Sequence, residues 1–461
     1  MRVADYIIET LIKFNVNCTH IVTGRGSLFL TDAVKNNSNM QTRFFHHEQS
    51  AAFAAVSASQ LSKKPNCCLI STGCSSTNTI TGLLSAWQDS ISCIFISGQN
   101  HLKETKRFTK VPIRTYGQQE ADIISIVKPI TKYASMITDA KMVKYEIEKA
   151  MHYSLEGRRG PVWLDVPLDI QNMRIDKKNL KTFYPKLKNY KPSKDQIKFV
   201  LKKLKNAKRP SVLIGSGIKL SNAEIQLKKF ITKLQIPLTF TPSAPDVYGS
   251  KEKLSIGSIG SQGCSREGAF TVQNSDLLLI IGSKLNSLIT GPDFKKFARD
   301  AYTIVVDIDK NEHKKKGVKI DKLIISDAKI FLEKINKSNL KLKFKNWLNK
   351  CLHWKKTFQK KLPNSINSKR IDLYELSNIF SSTIKKNSVL ICDSGYIDVI
   401  LPSNIKFGKN LNCLHPASQG SMGYVLPAII GASSSTRKDI VAVVGDGSIM
   451  MNLQELQTIK N

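Results

Sequence analysis

The sequence predicts an α/β fold: three doubly wound parallel-sheet domains. Three observations predict it. Short apolar runs rich in β-branched residues recur along the chain, most clearly at 211–214, 277–281, 304–308 and 440–444. Stretches with helical spacing of apolar residues separate them, an alternation that argues for parallel strands with helices on both faces. The length, 461 residues, is too great for one core and calls for two or three domains.

The first domain is expected over residues 1–180. Residues 6–14 carry apolar side chains at helical spacing, and residues 20–22 form a short strand that ends in Thr23-Gly24-Arg25-Gly26. An extended run, 42–45, meets a helix of small residues at Glu48; Ala51, Ala52, Ala55 and Ser59 let that helix pack close to a neighbour. Strands follow at 67–70, 93–96 and 162–166, with a helix at 78–87. Glu48, Gly73 and Gln99 fall at the carboxyl ends of such strands, where ligands of open α/β sheets sit.

A basic, proline-bearing stretch (186–192) leads to a middle α/β domain over 190–340, where Gly215-Ser216-Gly217 ends a strand. Residues 341–370 are polar and basic and read as a helical linker. The third unit, 371–461, starts its sheet at 387–393. It carries a β-branched strand at 440–444 into Gly445-Asp446-Gly447-Ser448 and reaches Asn461 inside a helix.

Lys and Arg number 70 against 36 Asp and Glu, a formal charge of +34. The excess is scattered in short runs, such as Lys314-Lys315-Lys316, which read as solvated helix faces. No specific nucleic-acid binding is expected from it; anionic metabolites are the better match. The nine cysteines show neither a Cys-x-x-Cys pair nor metal spacing, and they read as reduced, buried small hydrophobes. No apolar run approaches a membrane span, and the N-terminus enters a helix rather than a signal peptide. A cytoplasmic protein without membrane contact is expected.

Taken locally, the polar motifs are ordinary. Glu48 suits the first turn of a helix, Gly445-Asp446-Gly447 suits a turn, Met422 suits a core gap, and Gln119 suits a helix start. Their order changes that reading. His47-Glu48-Gln49 is followed by Ser71-Thr72-Gly73 with Thr77-Asn78. Gly420-Ser421-Met422-Gly423 with Leu426-Pro427-Ala428 comes next, then Gly445-Asp446-Gly447-Ser448. In this order, and at these separations, the four segments resemble the thiamine-diphosphate-dependent enzymes, and among them the acetolactate synthase large subunits. The text at Asp89-Ser90-Ile91, Ser97-Gly98-Gln99, Gln119-Glu120-Ala121-Asp122 and Gly160-Pro161-Val162 extends the resemblance over nearly the whole chain.

The resemblance implies a pyrimidine-binding first domain, a middle domain and a diphosphate-binding third domain. It implies thiamine diphosphate and Mg2+ as cofactors, with Asp446 a metal ligand. Glu48 is then the catalytic acid that shares a proton with the cofactor's pyrimidine, and Phe44, Phe45 and Phe53 are expected to give it an apolar slot. Met422 would hold the cofactor bent, and the Gly420 carbonyl would accept from its amino group. Gly24, Asn78, Gly395, Gly445, Gly447 and Ser448 complete the expected cofactor contacts, and Gln119 matches a substrate-pocket residue. FAD occurs in some relatives; Lys284 stands where those carry an arginine, so FAD is admitted without being required. The implied reaction is decarboxylation of a 2-keto acid such as pyruvate, with transfer of the two-carbon unit to a second carbonyl. It belongs to branched-chain amino acid biosynthesis. A homodimer or tetramer is implied, with Glu48 from one chain facing Asp446 of another, and a regulatory subunit accompanies many relatives.

Three departures stand out. Gly73-Cys74-Ser75 replaces Gly-Pro-Gly, Gly395-Tyr396-Ile397 replaces Gly-Gln-His, and Gln118 replaces a phenylalanine before the pocket glutamine. Leu285-Asn286, Gly291 and Asp307-Ile308-Asp309 resemble a branch found with surface-polysaccharide genes, whose acceptor would be a keto-sugar. The family's second metal ligand is an Asn beyond a further strand. The expectation is therefore a C-terminally incomplete chain that binds the cofactor weakly, or a non-catalytic remnant.

Overall fold

The computed structural model describes residues 1–340, 342–359 and 371–461. It divides into two compact units, Met1–Leu187 with Leu414–Asn461, and Lys188–Cys413. Much of the expected linker, residues 341 and 360–370, lies outside the described residues.

The first unit is built on six parallel strands: β1 (Cys18–Ile21), β2 (Gln41–Phe44), β3 (Cys67–Ile70), β4 (Ile94–Gln99), β5 (Tyr133–Met136) and β6 (Val162–Pro167). Their order is β2-β1-β3-β4-β6-β5. The chain leaves β1 toward one edge and returns past it to β3, which makes the β1/β3 junction a topological switch point. Side chains alternate between two cores, as the two-residue period of a strand demands. Cys67, Leu69, Ile94, Ile96, Val162 and Leu164 point to the face with the helix Val3–Lys13. Cys68, Ile70, Phe95 and Trp163 point to the face with the helix Glu48–Ser62.

That second helix has a hydrophobic stripe of alanines rather than of large residues, and residues 50–59 are all buried. Small side chains let other backbones come close on two sides. A Cβ added at Gly82 would lie 2.5 Å from the Ala52 Cβ, and one at Gly431 only 2.1 Å from the Ala54 carbonyl oxygen. Gly431 belongs to the helix Val425–Ser433, whose Ala428 carbonyl accepts from Ser57 Oγ at 3.1 Å.

The second unit repeats the design with β7 (Pro210–Ile214), β8 (Leu238–Phe240), β9 (Ser255–Ser258), β10 (Leu277–Ile281), β11 (Tyr302–Asp307) and β12 (Lys322–Ile325), in the order β12-β11-β10-β7-β8-β9. Its switch point lies between β7 and β10. Protein backbone closes the glycine turn there: Gly217 N donates to the Gly282 carbonyl at 2.9 Å, and a Cβ at Gly215 would sit 2.4 Å from the same oxygen. Close approach of the two strand ends accounts for these glycines without a ligand. The helix Lys345–Gln359, expected to be a solvated linker, buries Trp347, Leu348 and Cys351 in this unit's core, and Trp347 Nε1 donates to Ser211 Oγ at 3.2 Å. Its apolar stripe lay hidden among lysines, whose stems cover apolar surface while their heads stay in water.

Three further short strands are β13 (Ser388–Cys392), β14 (Asn412–Leu414) and β15 (Asp439–Val443). All nine cysteines are free and seven are buried, and burial pushes the Cys67 and Cys68 thiols well up. Among the described residues no helix is long and apolar enough to cross a membrane.

Candidate active site

The loops that follow β1 and β3 meet at the switch point of the first sheet. Gly26 N donates to Ser71 Oγ at 3.0 Å, and a Cβ at Gly24 would lie 2.5 Å from the Ser71 Cβ. Gly24 is extended (φ −175°), so close packing on Ser71 is the reason for a glycine there. The third loop at this end follows β2. Its His47 caps the helix Glu48–Ser62, Nδ1 accepting from Gln49 N at 3.2 Å, and sets Glu48 at the helix start. Glu48 Oε2 accepts from Asn78 Nδ2 at 2.9 Å. The expected aromatic slot is open on one side: Phe45 and Phe53 are buried, but Phe44 ends an edge strand and is 58% exposed.

Gly73 adopts φ +62°, and a Cβ there would meet the Gln119 carbonyl oxygen at 1.7 Å. The glycine therefore lets the loop 117–122 lie directly on the β3 turn. Gln119 itself takes a left-handed conformation (φ +58°), and its side chain is exposed. Next to it, Gln118 Oε1 accepts from Arg25 Nη1 at 2.8 Å.

The C-terminal segment of this unit brings the other motifs to the same helix start. Gly420 and Gly423 take positive φ, +61° and +79°, bracketing Met422, which is 44% exposed. Ser448 Oγ accepts from Gly423 N at 2.8 Å, and a Cβ at Gly447 would touch Met422 Cε at 3.5 Å. Asn452 is the hub. Its Nδ2 donates to the Gly423 carbonyl at 2.8 Å and to Gln49 Oε1 at 3.2 Å, while its Oδ1 accepts from Ser50 Oγ at 2.9 Å. Glu455, fully buried, accepts from His46 N at 3.1 Å and from Thr458 Oγ1 at 2.7 Å. The residues flanking Glu48 are thus bonded, within one chain, to the segment that carries Asp446. Asn452 and Glu455 carry no local sequence signal; their partners lie about 400 positions away, and only the fold pairs them.

Asp446 is exposed, and its Oδ1 accepts from Gly447 N at 2.8 Å. A Cβ at Gly445 or at Gly420 would meet nothing within 4 Å, so no protein packing demands glycine there. Gly395 is similar, with φ +78° and open space around it, and belongs to the second unit.

Comparison with known proteins decides what this arrangement is. Descriptions of thiamine pyrophosphate enzymes match in three parts: the N-terminal TPP binding domain over residues 1–126, the central domain over 197–335, and the C-terminal TPP binding domain over 393–461. The acetolactate synthase large subunit of Cyanidium caldarium is 32% identical over 98% of this chain and 78% of its own length. The chain belongs to the thiamine pyrophosphate enzyme family. The large subunit of Haemophilus influenzae is 28% identical over 99% of the chain and 79% of its length, and acetolactate synthase 3, chloroplastic, of Brassica napus is 29% identical over 99% and 70%.

As a thiamine pyrophosphate enzyme, the chain has groups that fit its cofactor. A Cβ at Gly445 would meet nothing within 4 Å, so the backbone there leaves room for a diphosphate at a strand end. Asp446 offers one hard carboxylate oxygen. Mg2+ takes one or two carboxylates and fills its shell with phosphate and water, a demand that a single Asp beside a diphosphate meets.

Proposed function

We propose that the chain catalyses thiamine-diphosphate-dependent decarboxylation of pyruvate or another 2-keto acid and passes the two-carbon unit to a second 2-keto acid. The observation that carries this reading is the bridge from Gln49 and Ser50, beside Glu48, through Asn452 to the Gly423 turn. It ties the helix that Glu48 starts to the segment carrying the diphosphate turn, so that one chain presents both halves for pairing with a second. The chemistry supplied by bound thiamine diphosphate is an electron sink for the carbon that loses carbon dioxide.

This chain's own residues bind, orient and desolvate. Asn78 holds one oxygen of Glu48 and leaves the other to share a proton with the pyrimidine ring. Met422, propped between two positive-φ glycines, is the apolar wedge, and the Gly420 carbonyl is the amino-group acceptor. Asp446 takes Mg2+; Gly24, Gly445, Gly447 and Ser448 border the cofactor. Gln119, fixed on the Gly73 turn, borders the 2-keto acid. Pairing of two chains, each completing the other's cleft, is part of the reading.

Calorimetric titration with thiamine diphosphate and Mg2+, followed by product analysis with pyruvate, tests it. Magnesium-dependent binding and acetolactate are the expected results; absence of both refutes the reading. One observation favours a second acceptor. Gln118 puts an amide, bonded to Arg25, where acetolactate synthases carry phenylalanine, and a polar wall suits a hydroxylated keto-sugar. Carbon–carbon bond formation with a keto-sugar, and none with a second pyruvate, would select it.

A further inference from the structure

The sheet face under the helix Glu48–Ser62 turns polar at its carboxyl end. On β4 and β6 the apolar residues Phe95 and Trp163 give way to Ser97, Gln99 and Asp165, all at most 1% exposed. Ser97 and Asp165 are direct neighbours in the strand register. Asp165 Oδ1 accepts from Ser97 Oγ at 2.6 Å and Oδ2 from Gln99 Nε2 at 3.2 Å; Trp163 Nε1 in turn donates to Ser97 Oγ at 2.8 Å. A buried carboxylate is costly, and apolar neighbours would fill the space at less expense.

The amide above it shows what the carboxylate does. Gln99 Oε1 accepts from Thr72 Oγ1 at 2.6 Å and from Asn100 N at 3.0 Å, while Nε2 also donates to the Ala121 carbonyl at 3.1 Å. The backbone N–H can only donate and the carbonyl can only accept, so the amide has one satisfied orientation. Gln99 thereby clamps the turn before Gly73 to the loop 117–122, and Asn100 Nδ2 adds a bond to the Gln118 carbonyl at 2.9 Å.

We infer that Asp165 is a positioning residue: in its ionised form it orients the Gln99 amide, which holds the Gln119-bearing loop against the Gly73 turn. Its meaning for catalysis rests on the proposed role of Gln119; the clamp itself does not. Burial pushes the Asp165 carboxyl up to about 7, against the pull of Ser97 and Gln99. The charged groups that face it are Asp122, which raises it further, and Arg107, which lowers it; these two pair with each other at 2.6 Å. On the other side β5 sets uncharged Met136 beside it. A proton on Oδ2 would turn that atom into a donor facing the Gln99 N–H. A proton on Oδ1 would leave the Ser97 hydroxyl accepting from both Trp163 and Asp165, its own hydrogen without the carboxylate it now bonds. Either way the clamp loosens as pH falls through about 7.

Amide hydrogen exchange of the 461-residue chain, corrected for the intrinsic pH dependence, tests this without any assay of turnover. Protection of residues 117–122 should rise roughly tenfold from the acid to the alkaline side of neutrality, the loss or gain of about one hydrogen bond. In Asp165→Asn the pH dependence should vanish. In Gln99→Met, which keeps the volume and removes the clamp, protection should be low at every pH. A wild-type pH profile in Asp165→Asn, or wild-type protection in Gln99→Met, overturns the inference. Should Asp165→Asn fail to fold by circular dichroism, Gln99→Met decides alone. A parallel assay keeps the two readings apart. Absence of pyruvate turnover in the unaltered chain counts against the proposed function and leaves the exchange result standing, whereas turnover should show a KM for pyruvate that rises in Gln99→Met more than kcat falls.

Discussion

Glu48 Oε2 accepts from Asn78, a bond that an amide oxygen can also accept, so its acidity can be removed with almost no change of shape. Glu48→Gln should lower kcat by about 10²–10⁴-fold, the usual share of a positioned acid. The melting temperature should not move; unchanged turnover in a folded variant would exclude the acid role. Asn452 makes a contrasting prediction, because its loss is structural. Asn452→Ala strands the buried Ser50 hydroxyl and the Gly423 carbonyl, at about 1–3 kcal/mol for each group left unpaired. Chemical denaturation should show that loss, and residues 446–461 should become the first site of proteolysis. Taken locally, Glu48, Asp446 and Gln119 are ordinary; the order of the four segments and the resemblance it carries singled them out. Asn452 and Glu455, and the pairing of Asp165 with Gln99, were not legible in the chain, since each is defined by a partner that only the fold brings near.

At the scale of elements, the helix Glu48–Ser62 is held by backbone approach rather than by large side chains. Gly431→Ala places a methyl into the Ala54 carbonyl and the Ser57 hydroxyl, contacts of 2.1 and 2.2 Å that the helices must open to relieve. Overpacking of this kind costs about 1–3 kcal/mol. A loss of that size in guanidinium denaturation, with Gly445→Ala nearly neutral in stability by comparison, is the expected pair of results. The long β-branched strands, β7, β10, β11 and β15, were legible because runs of that composition have few other uses. Shorter strands such as β5, β8 and β9 were not; three or four residues with Thr or Ser among them look like loop, and lateral pairing alone makes them strands. The helix Lys345–Gln359 misled in the opposite way, its lysines concealing Trp347 and Cys351.

For the whole molecule, two buried groups pull stability in opposite directions with pH. Burial depresses His20 to about 4, so the unfolded chain binds the extra proton and stability rises as pH climbs from about 4 toward 6.5. Asp165, raised to about 7, binds its proton more tightly when folded, so its contribution falls as pH climbs from about 4 to 7. The two windows overlap, so the two contributions oppose each other between about pH 4 and 6.5. In Asp165→Asn the His20 slope should emerge, with stability increasing toward neutrality; a flat profile in that variant would exclude the opposition. The charge of +34 adds a salt effect. Affinity for thiamine diphosphate should weaken as ionic strength rises, whereas duplex DNA should be released at modest salt, since no single element gathers the charge.

The interruption of the first unit has a consequence for how the protein is made. Lys188–Cys413 is continuous and can close as soon as it clears the ribosome, but the alanine helix near the front must wait for Leu414–Asn461 before its second side is covered. Until then a strip of Ala and Ser backbone stays bare. Contacts between such distant positions form slowly. Nascent chains stalled before that closing segment should be chaperone clients, and they should release once synthesis passes Gly431.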